Sequence, residues 1–405
     1  MHRQLTRMSP GRRRTAGRSW FAAGVLAITA CATAACSATT SAISTVTTGP
    51  AASESATSPS AGGDFAGLVD IGGRRIYVQC RGTGSPTVML ISGNPIAADL
   101  WDSPLGAQPT VYDTISKGTR VCAYDRPGTT RAIEGGGFSR SDAVPQPSTP
   151  TDSATELHDL LAALGETGPV VLAGHSYGGA VARLFAHTYG GAVSGLVLVD
   201  SFTPELRDNF PADLWQAWKA QNTMSEAAIA DYPDVERFDF DEAIDILGAG
   251  GTIPDIPLVV LTADAPINDA PKPGVPDIGS ATQAAHHAAQ DQLAAIVPGA
   301  IHVTETHSGH NMMLDNPAVV SAAIDDVVEA VRAGRSTSDA TGVPSPVASE
   351  LNGIVDIGGG RKVFVECTGT GSPTVLLMAG RGNGAVDWTQ SIDAGDPVLT
   401  APGDD

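Results

Sequence analysis

A serine flanked by glycines lies where an apolar strand pattern gives way to a helical one. The stretch Gly174–Gly179 reads GHSYGG, after the apolar run at 170–172 and before a helical pattern beginning near 180. Glycine relieves the crowded backbone of so sharp a turn, which would present the Ser176 hydroxyl at a sheet edge. Free N–H groups of the following helix would favour negative charge there. The pattern predicts a nucleophile rather than a nucleotide-binding turn, because no ribose-binding acid or further glycine fingerprint fits.

His310 has the position expected of a general base. A nucleophilic serine needs a base, and the base needs an acid that orients it. His310 lies late in the chain, in a loop between an apolar stretch and a helical pattern that begins near Pro317. His302 and His307 are rivals, although His302 alternates with apolar neighbours and is expected on a strand face. Five other histidines are set aside: His175 is locked in the turn, and His158, His187, His286 and His287 are expected to face solvent from helices.

Strands and helices alternate around these residues. Short runs rich in valine, isoleucine and leucine predict buried strands at 76–80, 87–92, 120–124, 170–174, 195–200 and 258–262. Helical patterns cover 151–164, with Thr151 or Ser153 as the N-cap, and also 178–189 and 317–333. This alternation predicts one α/β domain with a mostly parallel sheet. The stretch from 202 to about 255 predicts a helical cap, whose Trp215 and Trp218 are expected to line the pocket. The alternative is a long excursion over the surface.

The composition is that of a globular, acidic protein. Apolar residues make up 42% and charged residues 17% of 405 positions, which excludes a mainly disordered or coiled-coil chain. The net charge is −20, and no acid precedes Glu54. This charge excludes a basic nucleic-acid binder, because phosphate contacts need clustered lysine and arginine.

Residues 1–36 predict an export signal. Six of the 24 basic residues lie in the first 18 positions, and a short apolar run is followed by small residues and Cys31. The sequence ITAC at 28–31 also resembles a bacterial lipobox, whose cysteine is lipid-modified. We therefore expect a bacterial protein that is secreted or anchored to the cell envelope, with Cys31 as a candidate membrane tether. Cleavage without lipid attachment is the alternative. Residues 37–63 are rich in serine, threonine, alanine and glycine and predict a flexible linker.

Five motifs together make residues 64–334 resemble an α/β-hydrolase. They are SGN at 92–94, YDRPG at 124–128, GHSYGG at 174–179, GLVLVD at 195–200 and SGH at 308–310. The resemblance implies a mostly parallel central sheet flanked by helices, with a cap at about 202–255. It also implies Ser176 as the nucleophile and His310 as the general base and acid. Asp125 and Arg126 are expected to brace their own loop and to take no part in catalysis.

The resemblance further implies an oxyanion hole and an orienting acid. The hole would use the backbone N–H groups of Tyr177 and Asn94, because Pro95 has none. In related proteins the acid most often follows the strand that here precedes Asp264, and an alternative place is the end of the preceding strand, at Asp200. Asp200 is preferred because Asp264 comes early after its strand, while Asp200 is held rigidly at a strand terminus. Asp264 remains the alternate acid.

The resemblance also pairs two cysteines. In that fold the strands carrying Cys80 and Cys122 are antiparallel neighbours, and an oxidising compartment would permit a disulfide between them. The alternative is that both are small buried thiols.

Residues 351–405 repeat the beginning of the hydrolase-like region. LVDIGGR at 68–74 recurs as IVDIGGGR at 354–361, and CRGTGSPTV at 80–88 recurs as CTGTGSPTV at 367–375. Between the copies, 335–350 predicts a second linker. We expect an incomplete repeat of the domain's first strands rather than a solenoid. Cys367, the counterpart of Cys80, would lack its natural partner.

These observations predict an exported serine hydrolase that cleaves carboxylic esters through an acyl-enzyme. The expected partner is a small-molecule acyl ester. No cofactor or metal is expected, because no Cys-x-x-Cys or His-x-x-x-His spacing occurs. Two alternatives stay open: a serine peptidase or aminopeptidase on the same fold, and a non-catalytic envelope-bound protein that keeps the fold for binding.

Overall fold

A computed structural model describes residues 63–131, 136–266, 272, 274–335, 352–356 and 362–366 of the chain. The predicted export segment at 1–36 with Cys31, nearly all of both linkers, and most of the repeat at 351–405 with Cys367 lie outside the described residues.

The strands from 65 to 303 are β1 Phe65–Asp70, β2 Arg75–Arg81, β3 Val88–Ile91, β4 Val121–Tyr124, β5 Thr130–Arg131, β6 Gly137–Phe138, β7 Val170–His175, β8 Val193–Val199, β9 Leu258–Leu261 and β10 Ile301–Val303. Eight of them form one sheet in the order β1-β2-β4-β3-β7-β8-β9-β10. β1 and β2 pair antiparallel, β2 pairs antiparallel with β4, and the remaining pairs are parallel. The short strands β5 and β6 form a separate antiparallel pair.

Helices cover both faces of this sheet because its central strands are apolar on both sides. The helices outside the cap are α1 Val111–Ile115, α2 Pro150–Ala163, α3 Tyr177–Thr188, α8 Gly279–Ala295, α9 Met312–Asp315 and α10 Pro317–Arg332. Four helices form the cap between β8 and β9: α4 Glu205–Asn209, α5 Ala212–Asn222, α6 Glu226–Asp231 and α7 Phe240–Gly248. In β8, Leu196 and Leu198 pack with α2, α3, α8 and the cap, whereas Val197 and Val199 pack with α1 and α10 on the opposite face.

Helix α2 begins earlier than predicted. Its N-cap is Thr149, not Thr151 or Ser153, and Pro150 occupies the first helical position. The Thr149 side chain accepts from the backbone N–H of Asp152, while the Asp152 carboxylate accepts from the N–H of Thr149. This reciprocal capping satisfies two N–H groups and fixes the helix start.

The predicted disulfide between Cys80 and Cys122 is confirmed. The two residues lie directly opposite each other in the antiparallel pair of β2 and β4, and their sulfurs are 2.11 Å apart.

A second hairpin reproduces the register of the first. Strands β11 Asn352–Asp356 and β12 Lys362–Glu366 pair antiparallel, with Asp356 opposite Lys362. In the first hairpin Asp70 is opposite Arg75, which is the equivalent pair in the sequence repeat. The repeated sequence therefore forms the same local structure twice.

Candidate active site

Ser176 lies at a strained turn between β7 and α3. It has φ 52° and ψ −122°, between His175 at the end of β7 and Tyr177 at the start of α3. A positive φ is uncommon for a residue other than glycine, and holding such a conformation costs about 1–3 kcal/mol. Hydrogen bonds hold the turn: Ser176 N donates to Val199 O at 3.0 Å, and Ser176 O accepts from Phe202 N at 3.0 Å. The serine is thus fixed and partly exposed at the carboxyl end of the sheet.

Two glycines allow close backbone approach at this turn. A Cβ on Gly93 would lie 2.8 Å from Nδ1 of His175 and 3.0 Å from Cβ of Ser176. A Cβ on Gly178 would lie 2.3 Å from the carbonyl oxygen of Ile91. Larger residues would clash at both positions. The loop after β3 consequently lies directly against the serine turn.

Asp200 and His310 meet beside the turn. Asp200 directly follows β8, with φ 45°, and is 3% exposed. Its Oδ2 lies 2.5 Å from Nδ1 of His310, and its Oδ1 accepts from Ala263 N at 2.8 Å. Because β7 and β8 are adjacent parallel strands, Ser176 and Asp200 follow neighbouring strand ends. Among the described residues, no hydrogen bond joins the Ser176 hydroxyl to His310.

Asp264, the alternate acid predicted from the sequence, organises the loop that carries His310. Its Oδ2 accepts from His307 N at 3.0 Å, and its Oδ1 accepts from Ser308 N at 2.9 Å. Burial would raise the pKa of Asp264, but these backbone N–H groups hold it below its usual value. Within the described part of the chain, no hydrogen bond or ion pair joins Asp264 to the ring of His310.

His286 does not face solvent, contrary to the sequence-based prediction. Helix α8 carries it beside the buried stripe of Ala285, Ala289 and Leu293, and its side chain is 14% exposed. Its Nε2 lies 2.7 Å from Oδ1 of Asp200. Helical periodicity offered a signal, since a residue one position from 285 and three from 289 flanks the buried face.

The other candidate histidines contact different groups. Nε2 of His302 lies 2.8 Å from Oγ1 of Thr262, and the side chain of His307 is 64% exposed. His287 was also expected to face solvent, but it is half-buried, with Nε2 3.1 Å from Ala263 O. These contacts leave His310 and His286 as the rings on Asp200 in the described structure.

Asp200 is an ionised carboxylate between two imidazoles. Burial alone would raise the pKa of Asp200, but His286 and His310 hold it well below its usual range. Burial lowers the pKa of His286, yet the Asp200 carboxylate outweighs this effect and raises it above the ordinary histidine value. The site therefore holds a buried negative charge that accepts hydrogen bonds from both imidazole rings and from Ala263 N.

His175 links the serine turn to the loop of His310. Its Nε2 lies 2.8 Å from the carbonyl oxygen of His310, and since a carbonyl only accepts, Nε2 carries the proton. Burial, with the nearby His310, lowers the pKa of His175 to about 3, so the ring is neutral near pH 7. Its buried Nδ1 has no hydrogen-bond partner among the described atoms.

The backbone groups expected to form an oxyanion hole flank the serine. Tyr177 is the first residue of α3, so its N–H has no acceptor within the helix. Asn94 follows Gly93, whose backbone lies against Ser176. The Asn94 side chain donates to Oε2 of Glu236 at 2.9 Å, which fixes the loop.

A buried ion pair joins that loop to the cap. Arg126 and Glu236 are each 2% exposed, and Nε of Arg126 donates to Oε1 of Glu236 at 2.6 Å. Nη1 of Arg126 also donates to the carbonyl oxygen of Ser92 at 2.6 Å. Arg126 was predicted to brace its own loop, and its side chain also braces the loop after β3. Nothing in the sequence distinguishes Glu236 from the other acids of the cap.

Aromatic rings fill the space between the serine turn and the cap. Tyr177 stacks on Phe238 with ring centroids 4.1 Å apart, and Phe202 contacts Phe238 at 5.7 Å. Trp215 stacks on Trp218 at 4.9 Å. Trp215 is buried and Trp218 is half-buried, and both pack among the aromatic rings of the cap.

The described residues contain no group of three or more histidine, cysteine, aspartate or glutamate side chains arranged to hold a metal ion. None of the helices in this part of the chain is long and apolar enough to cross a membrane.

Comparison with known proteins identifies the family. Residues 88–323, more than half of the chain, match the alpha/beta hydrolase family. The chain belongs to the alpha/beta hydrolase family. The predicted fold class is therefore confirmed.

This alpha/beta hydrolase is similar to several known proteins. It is 20% identical to a thermophilic esterase from Thermogutta terrifontis, covering 66% of this chain and 99% of the other, with a TM-score of 0.41. It is 17% identical to a putative lipase from Acinetobacter baumannii, covering 67% and 93%, with a TM-score of 0.44. An uncharacterized protein of Schizosaccharomyces pombe is 27% identical over 148 residues, which are 31% of this chain and 26% of that protein. The match thus spans about a quarter of that relative's length.

Proposed function

We propose that this alpha/beta hydrolase is a serine hydrolase that cleaves carboxylic esters, with Ser176 as nucleophile, His310 as base and Asp200 as orienting acid. The observation that carries the proposal is the 2.5 Å contact between Nδ1 of His310 and Oδ2 of Asp200 beside the strained serine turn. An ionised acid on Nδ1 leaves Nε2 free to accept a proton from a hydroxyl. The hydrogen bond from serine to histidine often forms only in the substrate complex.

The reaction has two stages, acylation of Ser176 and hydrolysis of the acyl-enzyme. Oγ of Ser176 attacks the ester carbonyl carbon while Nε2 of His310 takes the hydroxyl proton. The tetrahedral intermediate collapses as the imidazolium returns that proton to the leaving alcohol, which produces an acyl-enzyme. Water then attacks the acyl carbon, with His310 again as base, and the carboxylic acid leaves as Ser176 regains its proton.

The oxyanion of each intermediate would accept hydrogen bonds from the backbone N–H groups of Tyr177 and Asn94. Fixed donors stabilise developing charge without reorganising, and removing one such donor typically costs about 10²–10³-fold in kcat. The brace of Arg126 on the loop after β3 supports this role for Asn94.

We place this activity outside the cytoplasm, in a secreted or envelope-anchored protein with Cys31 as a candidate lipid attachment site. The basic and apolar pattern of residues 1–36 supports export. The Cys80–Cys122 disulfide fits an oxidising compartment. Fractionation of cells expressing the wild type and Cys31→Ala tests both parts. Release of Cys31→Ala from the membrane fraction is expected, and wild type in the cytosol contradicts export.

The nucleophile is tested by labelling and turnover in one preparation. Wild-type protein should react with a fluorophosphonate and hydrolyse p-nitrophenyl esters of graded chain length, while Ser176→Ala should do neither. Ser194→Ala, a change on β8 whose hydroxyl contacts Pro169, is the matched control and should retain both properties. Appreciable ester hydrolysis by purified Ser176→Ala would overturn the assignment.

The same screen separates the two alternatives. Faster cleavage of aminoacyl-anilides than of esters would identify a peptidase. A folded wild-type protein that neither labels nor turns over any substrate would identify a binding protein.

A further inference from the structure

The Asp200 carboxylate has more partners than the orientation of one imidazole requires. Its Oδ2 contacts Nδ1 of His310, while its Oδ1 accepts from Ala263 N and contacts Nε2 of His286. Two histidines from separate elements, α8 and the loop after β10, thus share one buried acid. The mechanism above uses only His310.

We propose that His286 is a positioning residue of the site: in its protonated form it fixes the Asp200 carboxylate and offsets part of the negative charge that acts on His310. This inference rests on the proposed serine hydrolase function. His286 acts through Asp200 and does not itself touch the reacting atoms in this scheme.

The geometry explains why Asp200 needs a second anchor. Asp200 has φ 45°, so its backbone is in a conformation that non-glycine residues rarely adopt. A buried carboxylate is costly unless its lone pairs are satisfied. Ala263 and His286 together hold Oδ1, which leaves Oδ2 pointed at Nδ1 of His310.

The charges around His286 favour its protonated form. Asp200 is the charged group that raises the pKa of His286 against the effect of burial. On its own helix, the ring of His287 lies 6.2 Å away and bonds to Gln283 and Ala263 O. His310 lies on the far oxygen of Asp200.

The charged residues of the elements packed against α8 have other partners or lie in solvent. On α4, Glu205 pairs with Arg183 and Arg207 pairs with Asp245, while Asp208 is exposed. On β10, His302 pairs with Asp291 of α8. Asp200 therefore dominates the field at His286.

A cation at His286 bears on the pH dependence of the reaction. It lies on Oδ1 of Asp200, whereas His310 lies on Oδ2, so it offsets part of the negative charge of the site. The acid limb of kcat/KM is therefore expected at a lower pH with this cation than with Asp200 alone.

The test compares pH profiles of kcat/KM for wild type, His286→Gln and His286→Phe. Glutamine can still donate to Oδ1 but carries no charge, so the acid limb should move up by about one pH unit. Its plateau should stay within about 3-fold of wild type. Phenylalanine removes the donor as well, so its plateau should also fall, by about 10- to 100-fold. His287→Gln is the matched control and should leave the limb in place.

An unmoved acid limb in His286→Gln would overturn the proposal, because a merely structural histidine would change only the plateau.

A second measurement distinguishes a failure of this proposal from a failure of the proposed function. In folded Ser176→Ala protein, which needs no turnover, NMR titration of the His286 ring should give a midpoint above about 6.5, the ordinary histidine value. A midpoint below that value contradicts the inference, whereas a failure of ester hydrolysis with a raised midpoint contradicts only the proposed function.

Discussion

Asp200 and Asp264 follow neighbouring strands, but their carboxylates contact different partners. Asp200 reaches the ring of His310, and Asp264 accepts backbone N–H groups of the loop that carries His310. Asp200→Asn should therefore lower kcat by about 10⁴-fold, because the imidazole loses the ionised partner that fixes its tautomer. Asp264→Asn should lower the unfolding temperature with a kcat change below about 10-fold.

Steady-state kinetics and thermal unfolding of the two variants, side by side, check this difference. Each variant is the isosteric control for the other. Equal and mild effects on kcat would mean that neither residue is the acid.

His175 makes a separate prediction about stability and pH. Its pKa is about 3 in the folded protein, against about 6.5 for an unperturbed histidine. Below pH 6.5 the unfolded chain binds a proton that the folded protein does not, so the folded state loses stability as the pH falls toward 3. The loss should reach about 3 kcal/mol between pH 7 and pH 4.

Urea unfolding of wild type and His175→Gln at pH 7, 5 and 4 isolates this contribution. Glutamine keeps a donor for the carbonyl of His310 and cannot titrate. The difference in free energy of unfolding between the two proteins should shift in favour of the variant as the pH falls. Parallel curves would show that His175 is protonated in the folded state.

At the scale of elements, local sequence patterns predicted the strands and helices, but they did not predict contacts between residues far apart in the chain. Val170–His175, Ser176 and the helix behind them form one contiguous stretch, so their arrangement follows from sequence order. The contact of His286 with Asp200 joins residues 86 apart, and that of Arg126 with Glu236 joins residues 110 apart. No periodicity within one element specifies which partner a side chain meets on another.

The first residue of helix α2 was predicted wrongly for a different reason. The apolar stripe of α2 marks its buried face but not its first residue. The start depends on the capping interaction of Thr149 with Asp152, which lies before the stripe. Hydrophobic periodicity therefore predicts an element better than its ends.

The cap and the sheet are coupled through Glu236. Glu236→Ala would leave the buried Arg126 guanidinium without its carboxylate, which costs about 3–5 kcal/mol in comparable buried pairs. It would also remove one of the two acceptors of the Asn94 side chain and leave only the Glu236 carbonyl oxygen. The loop that carries Asn94 would then be held less firmly, so kcat should fall more than KM changes. Calorimetry and ester kinetics measure both effects.

Glu242→Ala provides the control within the same cap. Glu242 is exposed and should change the free energy of unfolding by less than about 0.5 kcal/mol. Similar unfolding temperatures for Glu236→Ala and Glu242→Ala would contradict the bracing role of the buried pair.

At the scale of the whole molecule, the net negative charge is expected to favour cationic substrates over anionic ones. The chain carries a net charge of −20, and the cap segment 202–255 holds twelve acidic and three basic residues. A surface that carries charge of one sign accelerates association with ligands of the opposite charge and slows association with ligands of the same charge, and salt screens both effects.

Among esters of equal size and leaving group, kcat/KM should therefore be highest for the cationic ester, intermediate for the neutral ester and lowest for the anionic ester. Raising salt from about 20 to 500 mM should reduce the cationic rate and raise the anionic one. The neutral ester is the internal control and should change little. A ranking that persists unchanged at high salt would place the discrimination in direct contacts of the pocket and not in the field of the cap.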